Sequence, residues 1–598
     1  MTLPAPACGS ARRFGASSHR RGHRPRSRCG VRHVALICPM DSNRDKPMNT
    51  APRVPWWTVF AMTGAGVFML ALFLGPRNDL AVLPRPVADR DVLRVAYVQQ
   101  LTPDPHVWTF PLPVNNQFIL SLWEPLIECD PENGQPQAAA AVSWRWSEDR
   151  LSLELRLRAD GRWCNGEPVT AHDFVRGWRR LIRQNLDCAA VLFPVKNAEA
   201  IHRGELADTS ALGVEAVDDF TLRIQLNAVR STFVAELADP LLVPLHATTA
   251  AVLENKPYRT APGTLITNGA FRLVQAKAEG YRLALSPHYR DRNTILLSGV
   301  EFIRADGAAM ARLLVAVGRA DLANPPAIGA PAGLPTARCV TEETEMAMSV
   351  VSLDLNVARG PLRDVRVRRA LALAMNRAGS IAEADADRLV PAYSWVPDMP
   401  GRPGLPLMHE DEAEARRLLA EAGYPGGKGF PVLILPVNQR RPNFGYLQVW
   451  TERWYRVLGV RTYLAFDPPE KHKLRYTRGE FDVMQGGLMA TVPDAGDLLG
   501  LFAHPERFDA PHWANPEITR LMAEANRRSG LERLALLERI ERSVMEDVPT
   551  IPMIFERRRT LLGVEVAGWY ADPLGRQAFK RLAITPVEHG EFHAGGPP

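Results

Sequence analysis

Residues 155–178 of the chain read LRLRADGRWCNGEPVTAHDFVRGW, and this stretch decides the fold. Every second residue from Leu151 to Leu157 is a leucine and the residues between are polar, which predicts a strand with one buried face. An Ala-Asp-Gly turn follows the strand. Thr170 is then placed as a helix N-cap, with Asp173 three residues further on and apolar residues at helical spacing. The stretch therefore predicts a strand, a turn and a helix, as in a mixed α/β protein.

The alternation typical of strands and the apolar spacing typical of helices both recur along the chain. Alternation at residues 222–226 and 281–285 predicts two more half-buried strands. Helices are predicted from Asp411 to Gly423, from Asn515 onward, and over residues 531–547. The 50 prolines among 598 residues exclude long uninterrupted helices. No repeat of 20–50 residues is visible, which argues against solenoids and propellers, and the length favours more than one lobe.

The positive charge of the chain is concentrated at its N-terminus. The whole sequence has 72 Lys and Arg against 66 Asp and Glu, a net charge of +6. Residues 1–53 hold 11 of these basic residues but only two acidic ones, so the remainder is slightly acidic. Nucleic-acid binding needs clustered basic residues within the folded body, and it is therefore not expected here.

Residues 54–74 form a run of 21 residues without a charge. As a helix this run would be about 31 Å long, which matches one bilayer core. The basic residues before it predict a cytoplasmic N-terminus and an exported body. A cleaved signal peptide is the alternative, but Gly75-Pro76-Arg77 does not resemble a small-residue cleavage site, so an uncleaved transmembrane anchor is favoured.

The segments on either side of the predicted anchor have simple roles. Residues 1–53 are interpreted as a basic leader, either disordered or not translated, because Met40 and Met48 offer later starts. Residues 75–90 contain three prolines and are predicted to be a linker. The exported body then begins at residue 91.

No cofactor, metal or catalytic motif is evident in the sequence. It contains no CxxC, HExxH, Gly-x-Ser-x-Gly or phosphate-loop pattern. Asp494 and Asp497 are spaced as an acid–base pair could be, but such spacing is commonplace. The exported body has four cysteines, which allow three disulfide pairings. Six tryptophans between residues 108 and 178 either line an apolar cleft or pack a core.

The stretch at residues 155–178 strongly resembles the signature of the oligopeptide/dipeptide-type solute-binding proteins of ABC importers. Further segments match that family in order: TPDPH at 102–106, LWEPLIECDPENG at 122–134, TNGAFRL at 267–273 and EFDVMQGG at 480–487. The resemblance covers about residues 91–590.

The resemblance implies a bilobed periplasmic-binding-protein (flytrap) fold of the α/β class, with an extra subdomain in the first lobe. Residues 91–345 are expected to form lobe one, residues 346–545 lobe two, and residues 546–590 a return segment to lobe one. Closure about the hinge buries the solute between the lobes.

The resemblance also implies a set of ligand-binding residues, namely Gln99, Trp123, Asn268, Gly487, Leu488, Thr491 and Asp494. Relatives usually carry Trp-x-Ala-Asp-Tyr after the second glycine, and that Asp pairs with the amino group of a peptide. Here Thr491 stands in place of the Asp and Leu488 in place of the Trp, and Gln99 occupies a position where some relatives have Glu. Losing a desolvated counter-ion costs several kcal/mol of ammonium recognition. Asp494 could substitute by a loop shift, but the favoured interpretation is that it caps the next helix or faces water.

The function that follows is an extracytoplasmic receptor, anchored at the periplasmic face of the membrane by its N-terminal helix. It would capture peptides or peptide-like solutes by hinge closure and deliver them to the transmembrane subunits of an ABC permease. A monomer without cofactors is expected, and no enzymatic activity. The alternative is a membrane-tethered sensing or interaction module with an eroded ligand site; a hydrolytic enzyme ranks lowest.

Overall fold

The computed structural model describes residues 91–585, apart from 108–112, 132–133, 185–186, 256–261, 325–339, 383–384, 387, 400, 440–443, 505–511 and 571. All these residues belong to one compact unit, Asp79–Pro598. The strands are β1 (Val92–Tyr97), β2 (Ile127–Cys129), β3 (Pro136–Ala138), β4 (Ala141–Trp146), β5 (Ser152–Leu157), β6 (Val214–Asp218), β7 (Thr221–Gln225), β8 (Phe271–Lys277), β9 (Gly280–Leu285), β10 (Gly299–Arg304), β11 (Leu322–Ala323), β12 (Val340–Leu355), β13 (Leu389–Pro391), β14 (Leu433–Asn438), β15 (Thr462–Asp467), β16 (Val483–Met489), β17 (Thr550–Gly563), β18 (Val566–Ala567) and β19 (Ala583–Ile584).

The helices are distributed along the whole described part of the chain. They are α1 (Pro113–Leu122), α2 (Ala171–Arg183), α3 (Ala198–His202), α4 (Phe233–Glu236), α5 (Ala247–Asn255), α6 (Ala308–Ala316), α7 (Val365–Leu373), α8 (Arg377–Ser380), α9 (Glu412–Glu421), α10 (Phe444–Leu458), α11 (Pro469–Thr477), α12 (Ala495–Ala503), α13 (Pro516–Ala525) and α14 (Gly530–Asp547).

The largest sheet runs through both halves of the molecule. Its strand order is β16-β12-β17-β11-β1-β10-β9-β8, and β13 pairs with β17 off this path. Strand β1 is parallel to both of its neighbours, β10 and β11, whereas the other pairs are antiparallel. Such a mixed sheet needs long connections between its parallel strands.

Two long strands, β12 and β17, connect the two halves. Near one end Thr341 pairs with Leu562, which also pairs with β11 of the first half. Near the other end Val350 pairs with both Phe555 and Leu488 of the second half. The register of the β12–β17 pair shifts between Met346 and Val350. A bulge at this point bends the ladder where the chain passes from one half to the other.

Two separate hydrophobic cores lie on either side of this crossing. The first is built mainly from residues 93–322 and surrounds Trp123, Trp163 and Trp178, each at most 1% exposed. The second is built mainly from residues 348–555 and includes Trp395 and Trp454. The protein therefore has two lobes, each with its own core.

Residues 155–178 contribute the end of strand β5 and the first part of helix α2 to a four-stranded sheet and its adjoining helix in the first lobe. The sheet has the antiparallel order β4-β5-β7-β6. Leu153, Leu155 and Leu157 of β5 are buried, as their alternation predicted. Helix α2 begins after Thr170, whose backbone N–H donates to the Asp173 carboxylate at 2.9 Å. The predicted strand, turn and helix are confirmed here.

The tryptophans of this region serve mainly in packing. The indole N–H of Trp163 donates to Asp173, and that of Trp178 donates to the carbonyl oxygen of Leu242. Trp144 and Trp146 are partly buried against the same core. These four side chains thus support the core interpretation.

The remaining predicted helices are also present. Asp411 caps α9, and its carboxylate accepts the N–H of Glu414 at 2.9 Å. Asn515 caps α13, which begins at Pro516. Helix α14 ends at Asp547, two residues before Pro549, because a residue that precedes proline is disfavoured in the helical conformation.

The predicted leader, anchor and linker, residues 1–90, lie outside the described residues. Within residues 91–585, and excepting the gaps given above, none of the helices combines the length and apolar character that crossing a bilayer requires. Cys129 and Cys164 are free thiols, the thiol of Cys188 donates to the carbonyl oxygen of His106, and Cys339 lies outside the described residues.

Candidate functional site

The candidate site lies where the two lobes meet, beside the crossing of β12 and β17. Lobe two contributes strand β16, the loop after it, and helix α12. Lobe one contributes the residues just before α4, helix α4 itself, the loop after it, and the segment that follows β18. Charged side chains from both lobes converge at this junction, as described below.

Gly487 and Leu488 are set by the sheet. Gly487 has φ +141°, and a Cβ atom there would collide with the carbonyl oxygen of Val350 in the neighbouring strand. Close pairing of β16 with β12 is thus enough to require glycine. Leu488 pairs with Val350 and is partly buried against the second core.

Thr491 is held by a carboxylate of its own lobe. Its backbone N–H and its hydroxyl donate to Asp497 Oδ2 at 2.6 and 2.9 Å. Asp497 lies in the first turn of α12. Its carboxylate therefore lies beside loop position 491, where this chain has threonine. The lobe-two side of the junction therefore has a negative charge beside residue 491.

Asp494 caps α12, which was its favoured interpretation. Its Oδ1 accepts the N–H of Gly496 at 2.7 Å, and both of its oxygens accept from Arg533 at 2.7 and 2.8 Å. Arg533 also donates through Nε to the hydroxyl of Ser231 in lobe one, at 3.2 Å. Asp494 thus positions a guanidinium that contacts the opposite lobe.

An ion pair crosses directly between the lobes. Arg230 Nη2 of lobe one donates to Asp497 Oδ1 of lobe two at 3.0 Å, while its Nε donates to Glu236 at 2.5 Å. The side chains of Arg230, Glu236 and Asp497 are 20%, 3% and 11% exposed. Burial raises the pKa of Glu236, although Arg230 opposes this change.

Arg576 joins the lobes a second time. Its Nη2 donates to Asp239 Oδ2 of lobe one at 2.8 Å and to the carbonyl oxygen of Thr491 in lobe two at 2.6 Å. Asp239 and Arg576 are 9% and 7% exposed. Burial raises the pKa of Asp239, and the adjacent guanidinium opposes that shift.

Trp123 lines a cavity that opens beside Arg576. The side chain is fully buried. The other lining residues are Leu120, five residues between 124 and 129, Ala238, Gly269, Ala270, Tyr289, and six residues between 570 and 581. Of the seven predicted site residues, Thr491 bonds to Arg576 through its carbonyl oxygen, and Trp123 lines the same cavity as Arg576.

Asn268 and Gln99 lie elsewhere in lobe one. The side chain of Asn268 exchanges two hydrogen bonds with the backbone of Glu124, at 3.0 and 3.1 Å. Glu124 in turn accepts from Arg290 and Tyr289. Gln99 lies half-buried in the bend just after β1. Asn268 therefore positions the residues of the cavity wall through Glu124.

Three residues at the junction, Arg230, Asp497 and Arg576, were not predicted as ligand-binding from the sequence. Asp497 was noted only for its spacing from Asp494. Arg230 and Arg576 carry no local pattern that separates them from other arginines, since their roles depend on contacts 267 and 85 residues away in the chain. Within the described part of the chain, no group of three or more His, Cys, Asp or Glu side chains is arranged to hold a metal ion.

Comparison with known proteins identifies the family. Residues 135–510 match the model described as bacterial extracellular solute-binding proteins, family 5 Middle. The chain is 28% identical over 470 residues to the probable deoxycholate-binding periplasmic protein YgiS of Escherichia coli, covering 76% of this chain and 86% of that protein. It is 26% identical over 484 residues to the periplasmic oligopeptide-binding protein OppA of the same species, covering 78% and 87%.

A solved structure agrees with this result. The murein tripeptide binding protein MppA of Escherichia coli superposes with a TM-score of 0.67 at 25% sequence identity, over 83% of this chain and 98% of that one. The family model covers well over half of the chain. The protein therefore belongs to the bacterial extracellular solute-binding proteins, family 5.

Proposed function

We propose that this protein is the extracytoplasmic receptor of an ABC importer, which captures a peptide or peptide-like solute between its lobes and delivers it to a membrane permease. The observation that carries the proposal is the junction itself. Two arginines, Arg230 and Arg576, each bond to groups in both lobes, so closure and binding would share one set of polar contacts. A solute that favours the closed state shifts the lobes toward it by its differential affinity.

The proposal includes an N-terminal membrane anchor over residues 54–74, with the binding body on the periplasmic side. It also includes a monomeric state and lobe boundaries near residues 345 and 546. The relatives named as periplasmic binding proteins support the periplasmic location of the binding body. The charge-free run and its basic flank support the anchor.

The solute class is proposed from relatives that bind oligopeptides and a murein tripeptide. Deoxycholate, named for another relative, is the second candidate solute. Thr491 stands where the resemblance implies a carboxylate that pairs with the amino group of a peptide. Asp497 supplies a carboxylate beside this position, and that carboxylate already pairs with Arg230. A free peptide amine would therefore have to compete with a guanidinium of the protein.

Native mass spectrometry of the full chain, extracted from its own membrane, tests the proposal directly. We expect a co-purifying small molecule of peptide mass. Thermal-shift measurements with tripeptides to pentapeptides should then show that a bound peptide stabilises the folded protein, by about 2.7 kcal/mol at a ligand concentration of 100 Kd. If deoxycholate stabilises the protein and no peptide does, the peptide part of the proposal is wrong.

The alternative, a tethered sensing or interaction module, is favoured by one observation: the junction charges are already paired across the lobes. Uptake measurements separate the two. Deleting the gene should reduce uptake of the bound solute if the protein is a transport receptor. Normal uptake together with a stable protein partner would favour the sensing module.

A further inference from the structure

Arg576 is buried, and only part of its guanidinium is engaged. The side chain is 7% exposed, and both hydrogen bonds that hold it use Nη2. Its Nε and Nη1 are buried and have no hydrogen-bond partner among the described residues. An arginine carries five N–H groups, so three of them on Arg576 are unmatched.

Unmatched buried donors are costly. Each one has given up its hydrogen bonds to water without replacing them, and the penalty is larger for donors on a charged group. The guanidinium cannot rotate away without losing Asp239 on one lobe or the Thr491 carbonyl on the other. These two hydrogen bonds therefore hold Arg576 with three donors turned away from its protein partners.

The cavity beside Arg576 contains a second unmatched donor. Trp123 is fully buried and its indole Nε1 has no hydrogen-bond partner among the described residues. Both side chains line the same cavity. Across the described lining, the buried side-chain atoms without a partner are all donors: Arg576 Nε, Arg576 Nη1 and Trp123 Nε1.

The carboxylates in the cavity wall are engaged elsewhere. Glu124 accepts from Arg290 and Tyr289, and Glu128 pairs with Lys580 and Arg581. Asp572 accepts the backbone N–H of Leu574 at 2.8 Å.

None of these carboxylates bonds to Arg576, whose hydrogen bonds go to Asp239 and the Thr491 carbonyl. The group that completes the cavity should therefore come from outside the protein, and it should be an acceptor.

We propose that Arg576, with Trp123, binds a carboxylate of the captured solute. An ionised carboxylate is an acceptor only, so it can satisfy these donors without introducing an unmatched donor of its own. Its bond to a guanidinium is charge-assisted and stronger than a neutral one. A carboxamide in its place would add two N–H donors to a wall whose carboxylates already have partners. This inference rests on the proposed function and names the group that the site recognises.

Isothermal titration with matched peptides tests the inference. The probes are alanine peptides of three to five residues, each as the free acid and as the C-terminal amide. We expect the wild-type protein to bind the acid about tenfold more tightly or better, which is the scale of one charge-assisted hydrogen bond. In Arg576→Gln the ratio of acid to amide affinity should fall to about one.

Arg533→Gln is the matched control. Arg533 also contacts both lobes, but its three nitrogens already donate to Asp494 and Ser231. Its replacement should weaken both peptide forms equally and leave their ratio unchanged. If Arg576→Gln proves unstable because Asp239 is left without a partner, the double variant Arg576→Gln/Asp239→Asn removes both charges and gives the same test.

The outcomes separate this inference from the proposed function. If peptides bind but Arg576→Gln keeps the wild-type ratio, the carboxylate inference is wrong and the peptide receptor stands. If no peptide binds, the peptide proposal fails. The inference then requires deoxycholate, which also has a free carboxylate, to bind about tenfold more weakly to Arg576→Gln. Failure of the wild type to bind either class overturns both.

Discussion

Replacing Arg230 by methionine should shift the solute-free protein toward an open arrangement of its lobes. Arg230 donates to Asp497 across the junction at 3.0 Å and to Glu236 of its own lobe at 2.5 Å. The variant removes the first contact, which joins the two lobes and would break if they separated. Methionine keeps much of the apolar stem, so the change is mainly one of charge.

The size of the effect follows from burial. Breaking a fully buried ion pair costs about 3–5 kcal/mol. Arg230 is 20% exposed, and opening the lobes lets Asp497 reach water, so we expect about 1–3 kcal/mol for the lobe equilibrium. Glu236 loses its partner in both states, and its cost falls on folding stability instead. A change of 1–3 kcal/mol corresponds to about a 5- to 150-fold shift in the ratio of open to closed molecules.

Small-angle X-ray scattering of the ligand-free protein measures this shift as an increase in the radius of gyration. Asp497→Asn should produce a similar increase, and the double variant should add little, because each single change already removes the pair. Arg520→Met is the control, since Arg520 is exposed and pairs within its own helix. A scattering profile of Arg230→Met that superposes on the wild type would refute the reasoning.

Three further predictions concern stability, and urea unfolding measures each one. Burial raises the pKa of Glu345 from 4.5 to about 7. The contribution of this side chain to folding stability, about 3 kcal/mol, is therefore fully present below pH 4.5 and is lost as the pH rises through 7. The glutamine of Glu345→Gln can still accept the N–H of Asp572 but does not titrate, so the variant should flatten the pH dependence of stability. An unchanged slope of stability against pH between about pH 4 and 8 would contradict this prediction. Glu541→Ala should lower the free energy of unfolding by about 3–5 kcal/mol, because it leaves the buried guanidinium of Arg402 unpaired. As a control, Glu532→Ala at an exposed position on the same helix should change it by less than about 0.5 kcal/mol. Equal effects of the two substitutions would argue against this account. Gly487→Ala should cost about 1–3 kcal/mol through its positive φ and the collision with β12, and a neutral result would show that the strand can shift.

Much of the fold could be predicted because its signals are local. The alternating leucines of β5 need only the period of a strand, and the start of α2 needs only Thr170 and Asp173 within one turn. The same holds for the caps at Asp411 and Asn515. These choices depend on residues a few positions apart in the chain, so their pattern is visible without the tertiary structure.

The candidate site was predicted less completely. Trp123 lines the cavity and Thr491 bonds to Arg576, while the role of both residues in ligand binding stays a prediction. Gly487 and Asp494, by contrast, have contacts that pairing and capping explain without a ligand. A family motif does not separate a residue that shapes the sheet from one that would touch a solute.

The sequence by itself determined the family, several individual strands and helices, and the separation of a basic N-terminal segment from a slightly acidic body. Only the tertiary structure decided which charges meet. Arg230 and Asp497 are 267 residues apart, and Arg576 reaches Asp239 across 337 residues. No local period records such distances, because these contacts form only after two separate cores have folded and β12 and β17 have brought them together. The three unmatched donors of Arg576 emerge at that stage alone, where burial removes the water that would otherwise have satisfied them.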